Sequence, residues 1–313
     1  MPLNSLLDLE LSVSNPDDVI AFWSDLGMAT TDGVTLGTLD RPTQLRIKES
    51  TYRHVSEMHL GCSDEADLVA MAARLDVLGV RATMTDGVLR CQDPILDHEV
   101  IVEVSTQEPI TTPDREPLNR PGTRERINQR SRAAMPGATP LPRRVGHVVY
   151  GTPDVAASTK FYNEGIGFRI SDSIENGVGV FLRCTPDHHN MLLMPAPIPC
   201  MNHYALEMDD FDAIGAVGSR IVAERPEASI YGIGRHVLGA NLFWYLLDPA
   251  GGMFELFADM DQILDDDAWE ANERRDDWDP FTIASWEPAM AKMDFFLPAD
   301  IEQLGAAREA AGR

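Results

Sequence analysis

The order of apolar and polar positions repeats along the chain. A strand-like run, LLDLELSVS, opens the first half; Asn15-Pro16-Asp17 follows, and DVIAFWSDLG then carries helical spacing up to Gly27. The second half opens in the same order, with RRVGHVVYG, Thr152-Pro153-Asp154, and VAASTKFYNE closed by Gly165 and Gly167. Here Thr152 reads as the N-cap and Pro153 as the first helical residue, with glycine ending the helix. Both helices carry an aromatic pair, Phe22-Trp23 and Phe161-Tyr162, and short alternating strands follow each of them. A further copy starts inside each half, at SEMHLGCSDEADLVAMAARLDVLGV and at MNHYALEMDDFDAIGAVGSRIV. Each is a strand followed by an apolar-periodic helix, and each ends in strands carrying Asp-Pro, at Asp93-Pro94 and Asp248-Pro249. The pattern predicts four βαβββ units, two per half. None buries its sheet face alone, so the units are expected to pair into curved mixed sheets around a cavity. The fold class is therefore α+β.

Between the halves lies a segment rich in Pro and Arg with almost no apolar periodicity, which reads as a linker. The expected boundaries are an N-terminal domain at 1–105, a linker at 106–142, a C-terminal domain at 143–260 and a tail at 261–313. The linker arginines are expected to lie over acidic surface, and no aromatic residues interleave them as a nucleic-acid site would require. In the tail, Trp269, Trp278, Trp286, Phe295 and Phe296 are expected to pack against the second half, with a lid over the pocket or a subunit contact as the alternatives.

Composition narrows the class. The chain has 26 basic against 50 acidic residues, a net charge of −24, which repels nucleic acid and anionic membranes. No apolar run approaches the roughly 20 residues needed to cross a bilayer. The N-terminus has no basic segment followed by a small-residue cleavage site, so no signal peptide is expected. Cys62, Cys91, Cys184 and Cys200 show no paired spacing; they read as reduced thiols of a cytoplasmic protein.

Three residues point to a metal. His147 and His203 each sit on the first strand of a unit of the second half, so the internal symmetry brings both to one cavity. Glu255 stands between Phe254 and Leu256 on the last strand, where a carboxylate is costly unless paired or metal-bound. Two imidazoles and one carboxylate on one face leave further metal positions open, the arrangement of non-haem Fe(II) sites. The run Asp248-Pro249-Ala250-Gly251-Gly252 reads as a turn, with Tyr245 three residues before it and Glu255 three after it, so the hairpin brings the phenol near the metal. His236 is expected at the start of the preceding strand. His188-His189 stand at a strand entry in CTPDHHNMLLMP, from which one of them can face the same cavity.

The stretch GRHVLGANLFWYLLDPAGGMFE resembles the signature of type I extradiol (ring-cleaving) catechol dioxygenases of the vicinal-oxygen-chelate, or glyoxalase–bleomycin resistance, superfamily. That signature runs Gly-x-His, a spacer, an apolar residue, Tyr, two residues, Asp-Pro, a turn glycine and Glu. Trp244 departs from it, standing where a smaller apolar residue is usual. The resemblance implies His147, His203 and Glu255 as ligands of Fe(II), with Mn(II) as the other candidate ion. It implies His189, in preference to His188, as the residue for proton transfer and oxygen activation. It also implies that His236 and Tyr245 hydrogen-bond a bound catecholate. The substrates would be a catechol-type aromatic and O2, the product a muconic semialdehyde, the context aromatic catabolism and the assembly a homo-oligomer. In the first half the equivalent positions are read as Glu10, His59 and Glu103, a vestigial site. Two other readings compete: a glyoxalase or epimerase, which uses four protein ligands, and a ligand-sequestering resistance protein, which lacks the triad.

Overall fold

The computed structural model describes residues 2–30, 32–38, 40–106, 116–133, 140–278, 286 and 297–313. The first half runs β1 (Leu3–Val13), α1 (Pro16–Asp25), β2 (Ala29–Thr30), β3 (Thr35–Gly37), β4 (Leu45–Glu49), then β5 (His54–Cys62), α2 (Glu65–Val77), β6 (Ala82–Thr85), β7 (Val88–Gln92) and β8 (Glu99–Val104). A short hairpin, β9 (Asn119–Arg120) and β10 (Thr123–Arg124), stands in the connecting segment, where no strand was expected. The second half runs β11 (Arg144–Thr152), α3 (Val155–Lys160), β12 (Arg169–Ile174), β13 (Gly179–Arg183), β14 (Met191–Pro195), then β15 (Cys200–Glu207), α4 (Phe211–Glu224), β16 (Ser229–Arg235), β17 (Leu242–Leu247) and β18 (Met253–Ala258). Helices α5 (Asp266–Asn272) and α6 (Ile301–Ala310) follow.

Each half forms one eight-stranded mixed sheet, in the orders β2-β3-β4-β1-β5-β8-β7-β6 and β12-β13-β14-β11-β15-β18-β17-β16. The two orders are the same once the second set is renumbered, so the expected four-unit repeat is present. In both sheets the first strands of the two units run antiparallel at the centre, and each is flanked by the parallel last strand of its own unit.

Helix starts follow from local chemistry. Asp64, Asp154, Asp210 and Asp265 each accept a backbone N–H in the first turn of α2, α3, α4 and α5, a cap worth about 1 kcal/mol. In the second half this shifts the expected start by two residues. Thr152 still belongs to β11, and Asp154, a better-placed acceptor for Ala157 N–H at 2.9 Å, is the N-cap. Helix α3 runs on into a π-helical turn over Phe161–Ile166 that ends at left-handed Gly167. On α2, Leu68, Met71 and Leu75 are buried at helical spacing; α4 buries Ile214, Val217 and Ile221 in the same way.

The central strands of the second sheet are buried on both faces, which is why their sequences read as continuous apolar runs. Val148 and Tyr150 of β11, Tyr204 and Leu206 of β15, and Phe254 and Leu256 of β18 join a large core shared with the first half. The alternate residues, His147, His203 and Glu255 among them, face a cavity on the other side. The halves also touch through polar contacts, with Trp23 Nε1 donating to Tyr204 Oη at 3.2 Å and Arg74 Nε to the Gly165 carbonyl at 3.0 Å.

Of the linker arginines, Arg132 pairs with Glu116 inside the connecting segment itself. At its C-terminal border Arg143 pairs with Asp40 and Asp209, and Arg144 with Asp187 and Glu207. In the tail, Trp269 donates to the Ser171 carbonyl, Trp278 packs on the apolar side of the cavity, and Trp286 lies against Phe211 and Arg235. These three tryptophans pack on the second half. Phe295 and Phe296 lie outside the described residues. Trp244 points away from the cavity; its ring covers Gly218 of α4, where a Cβ would stand 2.3 Å from it, so the departure from the signature serves helix packing.

Candidate metal centre

Strand register brings the three predicted ligands together. His147 on β11 pairs with Ala205 on β15, Ala205 pairs with Glu255 on β18, and His203 lies two residues before Ala205, on the same face. His147 Nε2 is 2.9 Å and His203 Nε2 3.2 Å from the same carboxylate oxygen, Glu255 Oε2. All three ligand atoms lie within 4.8 Å of one another and all three residues are buried. Among the described residues this is the one such cluster of three or more His, Cys, Asp or Glu groups. Among the described residues His203 Nε2 has no well-aligned hydrogen bond although it is buried beside Glu255, which is costly for a polar atom. A single cation between the three groups would satisfy all of them. Adjacent donors about 2.1 Å from one ion stand about 3 Å apart at right angles, close to the separations observed. The residues therefore fit a metal, and two imidazoles with one carboxylate suit a divalent transition ion.

Protonation states favour the same use. Burial pushes His203 down to about 4, so at neutral pH its ring is uncharged and its lone pair available. Burial opposes the charge of Glu255, but the facing imidazoles of His147 and His203 outweigh it and hold the carboxyl below the usual range. Two asparagines that the sequence did not single out orient these ligands. Asn202 Oδ1 lies 2.7 Å from His203 Nδ1, and Asn241 Nδ2 donates to Glu255 Oε1 at 2.8 Å. Such outer partners fix ring orientation and ligand basicity. His147 is instead held by packing against the Phe257 ring, 4.9 Å away between centroids.

The remaining predicted residues surround the same cavity. The turn at Asp248 forms as expected, its Oδ1 accepting the N–H groups of Ala250 and Gly252, and sets Tyr245 directly opposite Glu255. Tyr245 Oη lies 2.9 Å from His236 Nε2. Burial and the nearby Glu255 raise the phenol well above its ordinary pKa. His236 stands just past the end of β16, not at the start of a strand; its N–H donates to the Asn241 carbonyl, which turns the chain into β17. Of the two adjacent histidines, His189 lines the cavity. His188 is turned to the opposite side, with Nε2 2.8 Å from Asp172 Oδ2. Burial and the neighbouring imidazole of His147 keep His189 well below its ordinary pKa, and therefore uncharged at neutral pH. Val149, Ile174, Phe181, Leu192, Met194 and Leu238 form the rest of the wall.

The corresponding region of the first half is filled differently. Arg46 extends from β4 between three carboxylates, at 2.8 Å from Asp8, 3.0 Å from Glu10 and 2.9 Å from Glu57, and its Nη2 is 3.0 Å from His59 Nε2. A guanidinium thus stands among the acidic groups where an ion would otherwise be required. Glu10 and His59 belong to this cluster. Glu103 does not: it is exposed on β8, paired across the sheet with Gly61. In the β5–β8 ladder it is Ile101 that pairs with His59, two residues short of Glu103, and Asp8, which pairs with His59 across β1–β5, and Glu57 supply the carboxylates instead.

Comparison with known proteins agrees with this division. Residues 144–256 match the model of the Glyoxalase/Bleomycin resistance protein/Dioxygenase superfamily. Over 134 residues the chain is 35% identical to metapyrocatechase 2 of Cupriavidus necator, a match covering 42% of each chain. Over 143 residues it is 32% identical to an iron-dependent extradiol dioxygenase of Rhodococcus jostii, covering 41% of this chain and 47% of that one. The chain thus matches less than half the length of these relatives. A solved structure of homoprotocatechuate 2,3-dioxygenase from Brevibacterium fuscum, in complex with 3,4-dihydroxyphenylacetate, superposes over 94% of this chain and 91% of that one, with a TM-score of 0.73 at 18% identity. That likeness extends the shared fold across both halves. Residues 144–256 of the second half thus resemble the Glyoxalase/Bleomycin resistance protein/Dioxygenase superfamily, and the repeated βαβββ units and two eight-stranded sheets agree with that fold.

Proposed function

We propose that the chain is an extradiol dioxygenase. It would cleave a catechol-type aromatic with O2 beside the diol, giving a muconic semialdehyde-type product in aromatic catabolism. Residues 143–260 would form the catalytic domain and 1–105 a supporting one. The observation that carries the reading is a three-ligand cluster opening onto an apolar cavity whose other polar groups are His189, His236 and Tyr245. His147, His203 and Glu255 would hold Fe(II), the ion suited to O2 chemistry on a face of two imidazoles and a carboxylate. When bound, the ion supplies positions for the two catechol oxygens and for O2. A glyoxalase-type site uses four protein ligands, and the cluster here has three.

The chain's own groups divide the remaining work. Tyr245 and His236 lie 2.9 Å apart and form a polar pair that holds and orients the diol. His189, uncharged and on the cavity wall, takes a proton from a catechol hydroxyl and returns it after ring opening. The apolar wall grips the ring face and keeps water out. Among the described residues no Lys or Arg lines the cavity, so none of them would pair with a carboxylated side chain of the substrate. The substrates are therefore catechols with uncharged alkyl or aryl substituents. The four cysteines are free and buried, as suits a reducing cytoplasm. The test is a colour screen of the Fe(II)-loaded protein. It should turn 3-methylcatechol or 2,3-dihydroxybiphenyl yellow at least tenfold faster, by kcat/KM, than 3,4-dihydroxyphenylacetate. Preference for the acid would contradict the substrate reading, and no colour with any of them the activity itself.

A further inference from the structure

Behind His189, buried groups form a hydrogen-bonded chain leading away from the cavity. His188 Nδ1 lies 3.0 Å from His189 Nδ1, and His188 Nε2 lies 2.8 Å from Asp172 Oδ2. Asp172, on β12, is itself buried, and its other oxygen accepts the backbone N–H of Arg275 at 2.6 Å. The rings of Phe181 and Trp269 close over His188. Gly239, at φ +78, closes the remaining side: a Cβ there would stand 3.1 Å from His188 Nδ1 and 3.3 Å from His189 Nδ1. Only glycine lets the loop approach so near.

The direction of the hydrogen bonds follows from what each atom can do. A carboxylate only accepts, so His188 Nε2 carries a proton. With its one proton on Nε2, the ring offers a lone pair at Nδ1, which accepts the Nδ1–H of His189. His189 is left bare at Nε2, the nitrogen on the ring edge away from His188. We infer that Asp172 and His188 are positioning residues that fix His189 in the tautomer whose Nε2 accepts a proton. The inference rests on the role of His189 proposed above. The logic is that of a carboxylate fixing the catalytic imidazole of a serine hydrolase, with one more imidazole in line. Neither positioning residue touches the substrate: each acts through its neighbour.

Asp172→Asn tests this, because Arg275 dictates how the amide must lie. The Arg275 N–H needs an acceptor, so the amide oxygen faces it and the NH2 faces His188. His188 must then accept at Nε2 and donate from Nδ1, which turns His189 into a donor at Nε2. The expected result is a fall in kcat of about 10²–10⁴-fold, with KM for the catechol within about threefold of wild type and bound metal unchanged. The second readout needs no turnover. In the full chain loaded with diamagnetic Zn(II), the ¹⁵N ring shifts of His189 should report protonated Nδ1 and bare Nε2, reversed in Asp172→Asn. A wild-type His189 protonated at Nε2, or an Asp172→Asn variant with unaltered tautomer and kcat, overturns the relay. If the variant does not fold, the wild-type spectrum alone decides. If the tautomers are as expected but no catechol is cleaved, the relay stands and the proposed activity fails.

Discussion

Replacing Arg46 by Met keeps a stem of similar length and removes the one cation that binds Asp8, Glu10 and Glu57 together. The side chain of Arg46 is 23% exposed, and those of Asp8 and Glu10 are 9% and 12% exposed, so solvent compensates only part of the loss. Lys48 still reaches Glu10, but from the surface. Breaking a buried ion pair by removing one partner costs about 3–5 kcal/mol. Because Arg46 is partly solvated, the lower end applies, about 3 kcal/mol at pH 7. The pH dependence has a definite sign. Asp8 and Glu10 have lowered pKa values in the folded chain: burial acts against this, but His59, Ser56, Lys48 and Arg46 outweigh it. Such carboxylates contribute stability that is present above their unfolded values near 4 and lost as pH falls through the folded ones. Without Arg46 their charged forms are less favoured, so the deficit of the variant should shrink as pH drops from 7 towards 4.5 and the carboxylates protonate. Urea unfolding followed by circular dichroism at several pH values measures this. A loss below about 1 kcal/mol at pH 7, or a deficit that grows on acidification, would refute the view that Arg46 neutralises a buried acidic site.

Tyr245→Phe removes the hydroxyl that meets His236 and should raise KM for the catechol while lowering kcat, by about tenfold in kcat/KM, the loss of roughly 1.4 kcal/mol; steady-state kinetics under saturating O2 reports it, and an unchanged KM would assign the phenol to chemistry alone. His59→Ala should leave bound metal unchanged, because the first-half cluster already holds its cation in Arg46; loss of metal on elemental analysis would reveal a second site. Burial pushes Cys91 up to about 12 and Cys62 and Cys200 up to about 11, and raises Cys184 as well. At pH 8 all four should remain protonated and resist a thiol reagent in the native chain, yet react fully in urea; rapid native labelling would show that these strands open.

Much of this was legible in the chain because two signals coincide in it. Helical spacing behind Asn15-Pro16 and Thr152-Pro153-Asp154 marked the unit starts, and the repeat of that order carried the strands between. The internal symmetry then brought His147 and His203 to one cavity, and the cost of burying an unpaired carboxylate between Phe254 and Leu256 added Glu255. What remained hidden depended on register and on partners distant in sequence. The register of β8 on β5 sets Ile101, not Glu103, beside His59, and Asp8 and Glu57 stand at the centre of the first-half cluster. Asn202 and Asn241 are polar residues of ordinary appearance until the sheet sets them against His203 and Glu255. Asp172 is 16 residues from His188, and no periodicity links a strand residue to a loop that far along. His189 was preferred to His188 on the resemblance alone, because side-chain direction, which separates them in the structure, cannot be read from two adjacent residues of one type.

The central claim is that one metal held by His147, His203 and Glu255 serves cleavage of a catechol. The most direct test is O2 uptake by the metal-stripped protein, reconstituted anaerobically with one equivalent of Fe(II) and mixed with 2,3-dihydroxybiphenyl. The account predicts one O2 consumed per yellow product formed, and no uptake in Glu255→Ala, whose sheets still form by circular dichroism but which retains no iron. Sustained uptake by Glu255→Ala, or iron bound in full by the wild type with no uptake, would contradict it.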